Sequence, residues 1–148
     1  MKKITTLGMI ALVMPLLCLL AVSSCKTEED DPAKMTFEST DATKRLTINE
    51  NFEFKVVALD SNVFMSKGDW VSGKINTSGK WKENLTGIAY KMTTNQDSLR
   101  DIIESLEMNV DLTYTWEDNN ITAVTLLFTG EGYASVASSL MGGTFIKK

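Results

Sequence analysis

The segment Met108–Glu117 constrains the fold more than any other part of this 148-residue chain. Apolar side chains occupy every second position from Met108 to Trp116, and polar side chains stand between them. Successive side chains of a strand point to opposite faces of its sheet, so this alternation predicts a strand with one dry face and one wet face. Antiparallel sheets commonly leave one face in water. The segment therefore predicts an antiparallel sheet in an all-β domain.

Shorter segments with the same period of two lie on both sides of this strand. We predict further strands at residues 46–48, 52–56, 63–65, 68–75, 80–82, 86–92, 121–128 and 144–147. The alternation within 86–92 places Ile88, Tyr90 and Met92 on one face. Asp118-Asn119-Asn120 is expected to form a hairpin turn, because Asp and Asn tolerate left-handed backbone. Many short strands linked by polar turns are typical of a small antiparallel barrel or sandwich.

Two segments have helical spacing instead. Apolar residues recur at i, i+3, i+4 and i+7 in residues 96–106, and a similar stripe runs through 133–141 before Gly142-Gly143 ends it. We expect both stripes to pack on the core, and a groove for a partner is the alternative. The predicted fold class is therefore all-β with two short helices.

Four segments carry a family resemblance. Residues 46–54 are similar to an opening hairpin, Ser78-Gly79-Lys80-Trp81-Lys82 with Leu85-Thr86 to a Gly-x-Trp strand, 114–127 to a late hairpin, and 142–145 to a common ending. Over residues 44–147 the chain thus resembles the lipocalin-like domains of Bacteroidota surface lipoproteins. The resemblance implies an antiparallel meander, closed as a barrel or curved as a half-barrel, with an apolar cavity. The helical segment 96–106 departs from that pattern.

The N-terminal residues predict a secretory signal peptide. Met1-Lys2-Lys3 precedes an apolar run from Leu7 to Val22, and small residues follow it. A transmembrane helix is the alternative, but the run is shorter than the roughly 20 residues that a span needs. Val22-Ser23-Ser24-Cys25 resembles a bacterial lipobox, which implies removal of residues 1–24 and a covalent lipid on Cys25. The acidic tract 28–31 is either a solvated tether or, by resemblance, the export tag of Bacteroidota surface lipoproteins.

These observations predict three regions: residues 1–24 as a lipoprotein signal peptide, 25–34 as the lipidated Cys25 and acidic tether, and 35–148 as the β domain. We expect the protein to be lipid-anchored in the outer membrane and to face the outside of the cell. Cys18 would leave with the signal peptide and Cys25 would carry lipid, so no disulfide can form in the domain. Its stability must then come from the apolar core.

Charge and residue types exclude several classes of function. Of the 15 basic residues, two belong to the signal peptide, so 13 basic and 19 acidic side chains remain, a net charge of −6 that makes nucleic acid an unexpected partner. The chain has no His, and no nucleophile elbow, phosphate loop or dinucleotide motif is present. We predict no enzyme activity, no catalytic residues, no metal site and no cofactor other than the lipid on Cys25. Asp69, Asp111 and Glu117 are expected on a solvated surface, and Asp118-Asn119-Asn120 lacks the spacing of a calcium loop.

Five aromatic residues on predicted strands are the candidate ligand contacts: Trp70, Trp81, Tyr90, Tyr114 and Trp116. They either fill an ordinary core, line a cavity, or form an outer platform on which a sugar stacks. A hollow barrel needs small inward residues, for which Gly73, Gly87 and Ala89 are candidates. We expect a non-enzymatic module that binds a small apolar or amphipathic ligand. The alternative is an accessory or structural surface protein that binds proteins or glycans and has no cavity.

Overall fold

The structure is a computed structural model, and it describes residues 31–148. The predicted signal peptide, Cys25 and most of the acidic tract lie outside the described residues. Residues Pro32–Lys148 form one compact unit. Its strands are β1 (Lys34–Ser39), β2 (Lys44–Asn49), β3 (Glu53–Ala58), β4 (Trp70–Asn76), β5 (Leu85–Thr94), β6 (Met108–Glu117), β7 (Asn120–Thr129) and β8 (Gly143–Lys147). Its helices are α1 (Arg100–Glu104), which follows a 3-10 turn at Asp97–Leu99, and α2 (Ala134–Met141).

The eight strands form a closed barrel in chain order. Each strand pairs antiparallel with the next, and β8 pairs back to β1, where Phe37 lies opposite Lys147. The prediction of an all-β antiparallel meander with two short helices is therefore confirmed. Of the barrel and the half-barrel, the chain forms the closed barrel, which leaves no unpaired sheet edge where β1 meets β8.

Because neighbouring strands run in opposite directions, the connections alternate between two ends of the barrel. The helix end carries connections 40–43, 59–69, 95–107 and 130–142. The turn end carries connections 50–52, 77–84 and 118–119. Lys34, where β1 begins, and Lys147, where β8 finishes, also lie at the turn end.

Both helices belong to connections at the helix end. There α1 packs against β5 and buries Ile103, and α2 packs against β7 and buries Leu140 and Met141. Lys44 Nζ donates a hydrogen bond of 2.9 Å to the Gly142 carbonyl, one of the carbonyls that α2 leaves free at its end. The helical segment therefore does not interrupt the meander, although α1 is shorter than the predicted 96–106. Within residues 31–148, neither helix has the length and hydropathy to cross a bilayer.

The alternation in β6 is confirmed at four of its five apolar positions. Met108, Val110, Leu112 and Tyr114 are buried, whereas Trp116 is 49 % exposed. The β6–β7 register shifts between Thr115 and Trp116, because β7 has one extra residue beside this point. Such a bulge twists the strand end away from the core.

The strand predicted at 86–92 is confirmed as part of β5, but a second bulge makes the placement of Met92 on the face of Ile88 and Tyr90 wrong. Ser72 faces Thr93 while Lys74 faces Tyr90, so Gly73 lies opposite two residues, and one of them, Lys91, has φ 51°. Ala89 and Met92 are therefore buried, and Ile88 and Tyr90 lie on the outer face.

Two predicted strands are wrong, and one strand was not predicted. Residues 63–65 form a loop in which Asn62 Oδ1 accepts hydrogen bonds from the backbone N–H groups of Phe64 and Met65, both at 2.8 Å. Residues 80–82 form a turn in which Lys82 has φ 67°. The strand that was not predicted is β1. It has only two large apolar residues, so its alternation is too short to be recognised in the sequence.

Candidate binding surface

Side chains fill the barrel interior beside Gly73. A Cβ on this residue would overlap the sulfur of Met92 and lie 3.0 Å from Cζ of Phe54. The space that a glycine leaves is therefore occupied by two neighbouring side chains, and it is not open to a ligand.

The space beside Gly87, on β5, is also filled. A Cβ there would lie 2.5 Å from the Asn76 carbonyl oxygen and 2.7 Å from Cγ2 of Ile75. The third small residue, Ala89, is fully buried in the same apolar core. The three residues proposed to leave room in a hollow barrel are thus in close contact with the strands around them.

Among the five aromatic candidates, only Tyr114 points into the barrel. Its side chain is 4 % exposed, and burial raises its pKa to about 12. Its hydroxyl has no hydrogen-bond partner among residues 31–148.

Trp81 and Trp116 belong to the turn end. Trp81 packs edge-on against Phe52, with ring centroids 6.4 Å apart, and is partly buried against the core. Trp116 lies near the tip of the β6–β7 hairpin, where half of its surface is exposed. The structure therefore does not bring the five aromatic residues together at one site.

Trp70 and Tyr90 lie on the outer face of two neighbouring strands, together with three lysines. Lys55 pairs across from Ser72, and Lys74 pairs across from Tyr90, so β3, β4 and β5 each contribute. We call Lys55, Trp70, Lys74, Tyr90 and Lys91 the lysine–aromatic face. Lys55 Nζ lies 4.5 Å from the centroid of the Trp70 ring, and Lys91 Nζ lies 5.6 Å from that of Tyr90. Both are within the range of cation–π attraction.

This face carries little negative charge. Glu53 is the one carboxylate at the outward positions of β3–β5, and its Oε2 accepts a hydrogen bond of 2.9 Å from Asn49 Nδ2. The ion pairs within residues 31–148 use Arg45, Arg100 and Lys148 as their bases. The lysines of the lysine–aromatic face thus have no carboxylate partner there.

The outer surface of β5–β7 has the opposite charge. A cleft of about 470 Å³ is lined by Glu107, Glu131 and the exposed Tyr133, and a second of about 620 Å³ by Asp111 and the exposed Leu127. Neither lining includes Lys or Arg. These two clefts therefore differ in charge from the lysine–aromatic face.

A third cleft, of about 320 Å³, lies at the helix end beside the exposed Phe64. Its charged groups have structural roles. Asp41 accepts hydrogen bonds from the Ser39 hydroxyl at 2.6 Å and from the Thr43 hydroxyl at 2.7 Å, which lower its pKa to about 2. Burial lowers the pKa of Lys44, whose ammonium caps α2. These contacts hold the β1–β2 turn and the end of α2.

The three carboxylates that were expected on a solvated surface are separated from one another. Asp69 accepts hydrogen bonds from the Ser66 backbone N–H and the Gln96 amide, which fixes the loop before β4. Asp111 lies on the outer face of β6, and Glu117 is exposed at its end. In the part of the chain that the structure describes, no three residues capable of ligating a metal are grouped.

Comparison of the chain with known proteins found no match. No family model matches the chain, and neither a curated protein nor a solved structure matches it. The fold assignment therefore rests on the closed eight-stranded antiparallel meander itself.

Proposed function

We propose that this protein is a non-enzymatic, lipid-anchored outer-membrane protein that binds a glycan on the outside of its barrel. The observation that carries this proposal is the filled interior beside Gly73 and Gly87. A site for a small molecule usually needs a cavity of about 300–1,000 Å³. On the outer wall of the barrel, the partly exposed aromatic rings of β4 and β5 are Trp70 and Tyr90 of the lysine–aromatic face.

The anchoring part of the proposal rests on the lipobox at Cys25 and on where the chain enters the barrel. Strand β1 begins at Lys34, nine residues after Cys25, and an extended segment of that length spans about 30 Å. Because Lys34 lies at the turn end, the tether joins the barrel at that end. The lysine–aromatic face lies on the side wall, in contact with the surroundings. The strand number and order also support a lipocalin-like relationship.

Mass spectrometry of the native N-terminus tests the anchor. We expect a mature protein that starts at Cys25 and carries the added mass of its acyl chains. Cys25→Ser should release the protein from the membrane fraction. An unmodified Cys25, or a chain that retains residues 1–24, would contradict the anchor and leave the glycan site to be judged separately.

Affinity electrophoresis in gels that contain starch, polygalacturonate or hyaluronate tests the glycan site. We expect at least one polymer to retard the mature protein, and Trp70→Ala to reduce the retardation, because the indole ring offers a large apolar surface beside polar groups. Trp116→Ala is the matched control, since Trp116 is more exposed and lies at the turn end. Equal loss in both variants would contradict a site at Trp70.

A second candidate function, a ligand inside the barrel, is favoured by one observation. The buried Tyr114 hydroxyl has no partner among the described residues, and a polar group of a guest molecule would satisfy it. Fluorescence titration with an apolar probe or with extracted bacterial lipid tests this candidate. Saturation at one probe per chain that Tyr114→Phe weakens would support an internal ligand and contradict the filled interior.

A further inference from the structure

We infer that the glycan bound by the lysine–aromatic face is an anionic polysaccharide that carries carboxylate or sulfate groups. The inference rests on the proposed function, because it names the class of polymer for the same face. Its basis is the position of three ammonium groups, from Lys55, Lys74 and Lys91, on three adjacent strands.

Two of these ammonium groups are held in place by aromatic rings. The Trp70 ring supports Lys55 at 4.5 Å, and the Tyr90 ring supports Lys91 at 5.6 Å. A lysine that is already held loses less side-chain entropy when it binds an anion. The rings thus prepare the two cations for binding, and Lys74 lies on β4, the strand between those that carry Lys55 and Lys91.

The spacing of the three lysines suits a polymer rather than a single small anion. Lys55 and Lys74 are diagonal neighbours across β3 and β4, which corresponds to about 7–8 Å between their backbones. From Trp70 to Lys74 the face extends four residues along β4, or about 13 Å. Two lysines about 7–8 Å apart on a face of this length match anionic groups repeated along a chain.

The positive charge of this face is local, and its three lysines outnumber the one carboxylate near them. The only outward carboxylate on β3–β5, Glu53, lies opposite Lys74 and is hydrogen-bonded to Asn49. The clefts on β5–β7 are acidic, and the whole sequence has a net charge of −4. General attraction of polyanions by the protein is therefore not expected, and binding must use these three lysines.

An anionic lipid surface is the competing partner, and the geometry favours the polysaccharide. Trp70 and Tyr90 are half-buried beneath the lysines and do not protrude as membrane-inserting rings would. The face also lies on the side wall, whereas the proposed anchor enters at the turn end.

Binding of the mature protein to polygalacturonate and to its methyl ester tests the inference, because the two polymers share a backbone and differ in charge. We expect binding to the acid form that weakens with added salt, and little binding to the ester. The triple variant Lys55→Gln, Lys74→Gln, Lys91→Gln should weaken binding by about tenfold or more. The charge-matched control is Lys34→Gln, Lys67→Gln, Lys80→Gln, which changes three exposed lysines elsewhere and should bind as the unmodified protein does.

Each alternative outcome overturns the inference in a recognisable way. Equal binding of the ester and the acid, or binding of starch alone, would reject an anionic ligand and leave the proposed glycan function intact. Failure to bind any of these polymers would reject both. Equal losses in the two triple variants would show general charge attraction, and tighter binding to phosphatidylglycerol vesicles through the same lysines would assign the face to a lipid surface.

Discussion

Gly73 is the residue that reports most directly on whether the barrel interior is full. Gly73→Ala should lower the free energy of unfolding by about 1–3 kcal/mol, because the added methyl group overlaps the Met92 sulfur and approaches the Phe54 ring to 3.0 Å. Urea unfolding followed by fluorescence measures this change. A neutral effect would show free space beside Gly73 and favour a hollow barrel.

The same substitution in a Met92→Ala background supplies the control. Removing the Met92 side chain creates a cavity that costs about 2–5 kcal/mol by itself. The methyl group of Gly73→Ala then enters that cavity, so its additional cost should be close to zero. If Gly73→Ala lowered the free energy of unfolding equally with and without the Met92 side chain, contact with Met92 would not be the source of the strain.

Tyr114 gives a prediction that depends on pH. Its pKa is raised from 10.0 to about 12 by burial, so its contribution to stability is complete below about pH 10 and is lost as the pH rises toward 12. Tyr114→Phe should remove that part of the alkaline loss when unfolding is measured from pH 8 to 11. At pH 8 the variant should be as stable as the parent or more stable by about 1 kcal/mol, because an unpaired buried hydroxyl is removed. A clear loss at pH 8 would indicate that the hydroxyl makes a hydrogen bond inside the barrel.

Among the elements, the β6–β7 hairpin has a turn that requires left-handed backbone at both of its residues. Asp118 and Asn119 have φ 48° and 62°, the left-handed pair that a two-residue hairpin requires. Asn119→Ile should cost about 1–2 kcal/mol, because a β-branched residue is strained at positive φ. Asn119→Gly should leave stability nearly unchanged, and thermal unfolding compares the two. Equal destabilisation by Ile and Gly would point to the lost Asn side chain instead of backbone strain.

The strands that could be predicted from sequence are those in which side-chain pattern alone decides the orientation. Met108 to Tyr114 have a continuous alternation, and their burial follows it. In β5 the side-chain orientation changes at Lys91. Its positive φ could not be predicted from the sequence, because a lysine residue does not indicate left-handed backbone. Val63 is 94 % exposed although it begins an apolar tripeptide, because Asn62 folds the segment into a loop.

The residue types of the candidate site could be predicted from the sequence, but its assembly could not, because the assembly depends on how the strands pair. Trp70 and Tyr90 were expected as ligand contacts from their residue type, and an outer platform was one of the three arrangements that their residue type left open. Lys55, Lys74 and Lys91 gained significance only from the pairing of β3, β4 and β5, and the bulge at Gly73 sets part of that pairing. Sequence alone does not give strand register.

For the molecule as a whole, strand β8 is the element that closes the barrel. Deleting residues 143–148 would uncover the fully buried Phe145 side chain and leave β1 and β7 with unpaired edges. We expect loss of cooperative thermal unfolding and a tendency to aggregate, measured by circular dichroism and size-exclusion chromatography. Deleting Lys148 alone removes only its surface ion pair with Glu38 and should leave unfolding cooperative. A truncated chain that still unfolds cooperatively would show that the meander is stable while open.

The pairing of the first strand with the last also sets the order of events when the chain is made. Phe37 cannot pair with Lys147 until that residue, which lies 110 positions later in the chain, has emerged during synthesis. Contacts between residues so far apart in sequence form slowly. The barrel can close only after Lys147 has been released, so until then a growing chain stays open along β1.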